Sequence, residues 1–201
     1  GFLFGFDTAV ISGTISFVKN QYAMNPLMEG WYVSSALVGC IAGVAVSGKL
    51  GNIFGRKKVM LLSGLLFMLS AIGCAFAPGA FVLIVFRLIG GLGIGVASVI
   101  CPMYISEMAP SHVRGKLVTY YQLAITIGIL VAYFSNSVIQ TSVTSSATSG
   151  WMQLIFTREI WRGMFSVGII PAFVFLLMIF LIPESPRWLA LKKRSAEAEK
   201  V

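Results

Sequence analysis

Two ionisable side chains in this 201-residue chain stand alone in apolar surroundings, and the chemistry open to them is proton transfer. Asp7 is the only charged residue in the run Gly1 to Val18. A charge in hydrocarbon costs at least about 3 kcal/mol even on lenient insertion scales, and acids that persist there mark ion or proton routes. Arg87 interrupts a second apolar run, about seven residues from its outer end, or roughly 10 Å deep at helical rise. Asp7 lies about eleven residues from the corresponding end of its own run, or roughly 16 Å. The long arginine reaches the carboxylate if the two helices touch. Pairing favours the charged acid and separation the protonated one, which is the physical basis of a proton switch. A permanent structural ion pair is the alternative reading.

The composition says what must position them. Hydrophobic residues make up 57% of the chain and charged ones 11%, against about 25% charged in soluble domains. With a mean hydropathy of +0.89, this predicts a polytopic membrane protein. The net charge of +8 could suit nucleic acid, but Lys and Arg fall in short clusters between apolar runs. That pattern faces anionic lipid headgroups, so no nucleic-acid partner is expected. Cys40, Cys74 and Cys101 lie inside apolar runs without metal spacing and read as small packing residues.

Six apolar runs of near-spanning length predict six transmembrane helices, at about 1–18, 31–50, 59–77, 80–103, 116–138 and 162–182. No initiator Met or basic flank precedes the first, which reads as a helix cut internally, with chain missing upstream. Lys49, Arg56, Lys57, Lys58, Arg114, Lys116, Arg187, Lys192, Lys193, Arg194 and Lys200 fall on one side, and Lys19, Arg158 and Arg162 on the other. Eleven basic residues against three place both termini in the cytoplasm. Residues 140–150 read as a flexible external loop, bracketed further on by Trp151 and Trp161 as interface anchors. Gly91 and Gly95 have small-xxx-small spacing and are expected to admit the first helix. Gly39 and Gly43 read the same way. A dinucleotide role for the glycines after Arg87 is excluded, because they sit in a continuous apolar span. A weak echo between the first and second three helices suggests an inverted repeat.

Three loop motifs complete the pattern: Gly48 to Lys58 between helices two and three, Glu107 to Gly115 between four and five, and Pro183-Glu184-Ser-Pro186-Arg187 after six. With the opening stretch they make the chain resemble the sugar porter family of the major facilitator superfamily, most like bacterial proton-coupled xylose and hexose symporters. The resemblance implies an all-α membrane protein whose residues 1–183 form the N-terminal six-helix bundle of a twelve-helix carrier. Residues 184–201 would begin the cytoplasmic linker to an absent C-terminal half. It implies Asp7 as the proton-binding acid with Arg87 as its partner. Phe4, Gln122 and the position of Ile129 are implied beside a monosaccharide, and Arg56, Glu107, Arg114, Glu184 and Arg187 in a cytoplasmic gate. An amide such as Gln122 suits hydroxyls because it both donates and accepts, although it could equally pack helices.

Two departures bear on this. Asn52 stands where an acid is usual, which implies a weaker or differently paired gate. Ile129 stands where the pentose symporters that the chain resembles carry a second glutamine, which implies one fewer hydroxyl partner for the sugar on that helix face. A plasma-membrane carrier follows, in the inner membrane if bacterial, using sugar and proton and no cofactor. His112 reads as a solvated loop residue, and no triad, metal set or P-loop marks an enzyme. A facilitative uniporter is the alternative, disfavoured by Asp7 because the animal members carry Asn there. A sugar sensor and a self-contained six-helix channel are further classes.

Overall fold

In a computed structural model, which describes residues 1–145, 159–194 and 197, the hydropathy pattern resolves into helices. They are α1 (Phe2–Gln21), α2 (Pro26–Phe54), α3 (Arg56–Ala75), α4 (Ala80–Met108), α5 (Arg114–Ser145), α6 (Ile160–Val167), α7 (Ile169–Leu181) and α8 (Pro186–Leu191). Taking α6 and α7 as one span, Ile160–Leu181, six of these segments are long and apolar enough to cross a membrane. Leu37, Ile41, Phe173 and Leu177 stand exposed along them. Such apolar surface on a long helix fits hydrocarbon, not water.

Local chemistry explains where the helices depart from the apolar runs. Helix α2 starts at Pro26 rather than near 31, because the Asn25 side chain accepts from the Met28 amide at 2.8 Å and Pro26 takes the first helical position. Helix α5 runs on to Ser145, so the segment expected to be a loop from 140 is helical at its start. The rest of that segment, with Trp151 and Arg158, lies outside the described residues. The sixth span breaks at Gly168. Pro171 has no N–H to return to the Val167 carbonyl, and the chain closes the turn with Gly168 N to Phe165 O at 3.0 Å instead.

Two of the close helix contacts follow glycine seams. Along α2 and α4, a Cβ on Gly39 or Gly43 would strike the backbone at Leu88, Leu92 and Val96, and one on Gly91 or Gly95 the backbone of Ala36 and Cys40. Gly91 and Gly95 therefore admit the second helix, and the expectation that they admit the first is corrected. Helix α1 has its own seam with α5, where Gly5 lies on Ile125 and Gly128 on Phe2. Each seam joins the second helix of one three-helix set to the first helix of the other, as the inverted-repeat echo requires. Trp161 is also corrected: it is 0% exposed in the core and donates to Gln21 Oε1 at 2.6 Å, so it anchors α6 to α1, not to an interface.

Candidate functional site

Asp7 and Arg87 meet inside the bundle. Helix α1 carries the acid and α4 the base, and Arg87 Nη2 lies 4.0 Å from Asp7 Oδ2. The arginine side chain is 3% exposed and the aspartate 17%. At this separation the contact is an ion pair without a short hydrogen bond. Arg87 Nε and Nη1 have no partner among the described residues. The guanidinium instead lies against two rings, Tyr32 on α2 at 5.6 Å and Phe165 on α6 at 5.8 Å. Beside the acid is a cavity of about 10 Å³ whose walls include Ser70 and Cys74 of α3, and that volume is close to the smallest that admits one water.

A cavity of about 650 Å³ lies elsewhere. It is bounded by the first residues of α1, by α3, α4 and α5 and by α7, and Phe4 is in its wall with Phe67, Ile94 and Phe175. The hydroxyls of Ser63 and Ser98 in that wall bond to carbonyls of their own helices. Such a lining suits apolar surface better than a polyol, which needs several convergent polar groups. Gln122 is exposed on α5, and Ile129 is half-buried against the α1 core. On α1, Thr8, Ser12 and Ser16 are all exposed, forming a hydroxyl row at i, i+4 and i+8 on one side of a spanning helix. Small polar side chains on a span favour helix or water contact over lipid. This row went unread in the sequence, although its spacing alone would have found it.

The basic end of the bundle holds a second polar centre. Arg56, at the start of α3, grips Glu107 of α4 with both arms, Nε to Oε2 at 3.0 Å and Nη2 to Oε1 at 2.9 Å. Both side chains are about 95% buried. Arg56 Nη1 also donates to Gly51 O and to Asn52 Oδ1, and Ser185 Oγ donates to Glu107. Glu184 accepts from the Arg56 and Lys57 amides at 2.8 and 3.1 Å, capping the positive end of α3. Gly55 just ahead has φ +94, and a Cβ there would meet the Glu184 carboxylate. Asn52 is drawn in through its carbonyl as well, which accepts from Trp188 Nε1 at 3.0 Å. Arg114 and Arg187 are exposed outside this cluster. Among the described residues Arg114 reaches only the Ala109 carbonyl, at 3.4 Å.

At the opposite end Arg162 donates to the Ala75 and Ala77 carbonyls at 2.9 and 2.8 Å and pairs with Glu159, which accepts from Gln21. Sequence reasoning missed this clamp between α1, α3 and α6. His112 is exposed in the turn before α5. Among the described residues no group of His, Cys, Asp and Glu could hold a metal ion.

Six spanning helices with an ion pair at their centre and a charge cluster at one end define a multi-pass bundle of transporter type. The chain belongs to the sugar (and other) transporter family, whose model matches residues 1–201. It is 43% identical over its whole length to the arabinose-proton symporter of Bacillus subtilis, covering 42% of that protein. Over 99% of its length it is 38% identical to the D-xylose-proton symporter of Escherichia coli K12, covering 44% of it. A solved structure of a major facilitator superfamily proton:xylose symporter bound to 6-bromo-6-deoxy-D-glucose superposes with TM-score 0.86 at 35% identity. That match covers all of this chain and 46% of the other, its N-terminal half. The chain thus spans about two-fifths of the length of the curated relatives it matches.

Proposed function

We propose that this bundle forms one half of a proton-coupled sugar symporter that works by alternating access, the other half being a second six-helix bundle. The observation that carries the reading is the Asp7–Arg87 pair, a loose ion pair inside a family whose similar members include proton symporters for arabinose and xylose. Asp7 takes a proton from the outer side, its hold on Arg87 relaxes, and α1 and α4 are freed to move relative to one another. Arg87 is the fixed positive charge that makes the two protonation states differ in energy.

The sugar is proposed to bind on the face marked by Thr8, Ser12 and Gln122, with Phe4 and Ile129 behind it. A polyol needs hydroxyl and amide partners there, and the large apolar cavity offers few. Arg56, Glu107 and Glu184 hold the inner ends of α3 and α4 together, while Arg114 and Arg187 are free to meet the second bundle when the inner gate closes. The basic end of the bundle faces the cytoplasm, so the first span enters and the sixth leaves the membrane on that side. Residues 184–201, opening with α8, lead toward the second half.

The test is Asp7→Asn in the whole carrier. It keeps size and hydrogen-bonding shape but cannot ionise, so sugar counterflow should persist while accumulation driven by a proton gradient stops. Continued accumulation would remove Asp7 as the coupling group, and loss of sugar binding would make it structural. An unsubstituted carrier indifferent to the proton gradient would be a uniporter.

A further inference from the structure

Once Asp7 is protonated, Arg87 is a buried cation without its counter-ion. A lone charge in such a site is costly unless something else supports it. Three facts bear on what does. The guanidinium is 3% exposed, its one ion-pair contact is at 4.0 Å, and two of its nitrogens have no partner among the described residues. What lies against it are the Tyr32 and Phe165 rings, at 5.6 and 5.8 Å from Cζ to centroid. A guanidinium within about 6 Å of an aromatic face is drawn to its negative quadrupole, most strongly where water is excluded. Both rings are buried, Tyr32 1% exposed and Phe165 4%.

The two rings are themselves held. Tyr32 shares a 2.6 Å hydrogen bond with Thr14 of α1, two turns along from Asp7, so its ring is tied to the helix that carries the acid. Phe165 meets Trp161 edge to face at 6.4 Å, and α6 is fixed to α3 by Arg162. Among the described residues, the titratable groups close enough to feel the Arg87 charge are Asp7 on α1, the Tyr32 hydroxyl on α2 and Cys74 on α3. Helix α6 faces it with the Phe165 ring, its own Arg162 being turned onto the Ala75 and Ala77 carbonyls.

We infer that Tyr32 and Phe165 form an aromatic cage that holds Arg87 as a lone cation when Asp7 is protonated, and so set how acidic the medium must be for coupled uptake. The inference rests on the symporter reading above. The rings touch the cation in both states, but in the protonated state they are its main support. Removing one therefore penalises that state more than the paired one. They are positioning residues, acting on Asp7 through Arg87.

The experiment compares Phe165→Leu and Tyr32→Leu, which lose the ring, with Phe165→Tyr and Tyr32→Phe, which keep it, in the whole carrier reconstituted in vesicles. Proton-driven sugar uptake is measured against outside pH, and counterflow is measured alongside to show that sugar still binds and crosses. The Leu variants should need a proton concentration about three- to tenfold higher for half-maximal uptake. The ring-keeping variants should return the midpoint toward the parent's. If one Leu variant fails to assemble, the other carries the test from the opposite side of the guanidinium. Counterflow-competent Leu variants with the parent's midpoint would overturn the cage, and so would ring-keeping variants that move as far as the Leu ones, since packing alone would then explain the shift. If uptake by the parent ignores the proton gradient, the symporter reading itself has failed, a result distinct from either.

Discussion

At the scale of single residues, the basic end separates charges that build the bundle from charges free to act outside it. Arg56 and Glu107 are both about 95% buried, and each is satisfied chiefly by the other. Arg56→Ala would leave Glu107 buried with Ser185 as its remaining donor, and losing one partner of such a pair costs about 3–5 kcal/mol. A melting temperature in detergent well below the parent's is the expected result. Arg187 is exposed on the first turn of α8, so Arg187→Ala should change stability by less than about 0.5 kcal/mol. Altered transport in that well-folded variant would then report contact with a second bundle. The sequence made the charged residues themselves legible, Asp7 and Arg87 above all, because a charge in an apolar run stands out. It could not say that Arg56 and Glu107 pair while Arg114 does not, since that depends on how the ends of α2, α3 and α4 converge. Nor could it show Tyr32 and Phe165 as neighbours of Arg87, because an aromatic residue in an apolar run carries no mark of the partner it will meet.

At the scale of helices, close approach is set by where a Cβ is missing. A Cβ on Gly39 falls 2.9 Å from the Leu92 amide nitrogen and one on Gly43 3.0 Å from that of Val96, so the added carbon meets backbone that cannot swing aside. Gly39→Ala should destabilise the bundle by about 1–3 kcal/mol through overpacking. Gly30, in the same helix but facing open space, should behave in the opposite way: Gly30→Ala should be neutral or stabilise by up to about 1 kcal/mol. Thermal unfolding of the two variants side by side checks both. The spacing of these glycines was readable, but which helix they admit was not, because small-xxx-small marks a close contact without naming the partner. The earlier start of α2 was readable too, in Asn25-Pro26, had the cap been weighed above the apolar run.

For the whole molecule, hydropathy was enough to count the spans, because lipid requires each backbone polar group to be satisfied within its own helix. It said less about how they assemble. The two glycine seams exchange helices between the three-helix sets, so α1 is packed against α5 and α2 against α4, and neighbours in sequence are seldom the closest neighbours in space. Thr8, Ser12, Ser16 and Gln122 all remain exposed. On the symporter reading, vesicles holding residues 1–201 alone should show no sugar uptake above empty vesicles, because a half-site would leave sugar hydroxyls unpaired and the bundle without a surface to rock against. Uptake above that baseline would show that the bundle is sufficient by itself.

The Glu184 cap also imposes an order on biosynthesis. The first amides of α3 are capped by a carboxylate that lies 128 residues further along the chain. At about 5–20 residues per second, roughly 6 to 25 s separate the synthesis of the two. Through that interval the leading amides of the third span, at Arg56 and Lys57, lack their carboxylate and are met by water and lipid headgroups, although the Arg56 side chain can already take Glu107, made 51 residues after it. A ribosome that pauses while the 140s and 150s are being made would prolong that exposure, so the translation speed of a stretch remote from both residues becomes a determinant of how many chains close correctly.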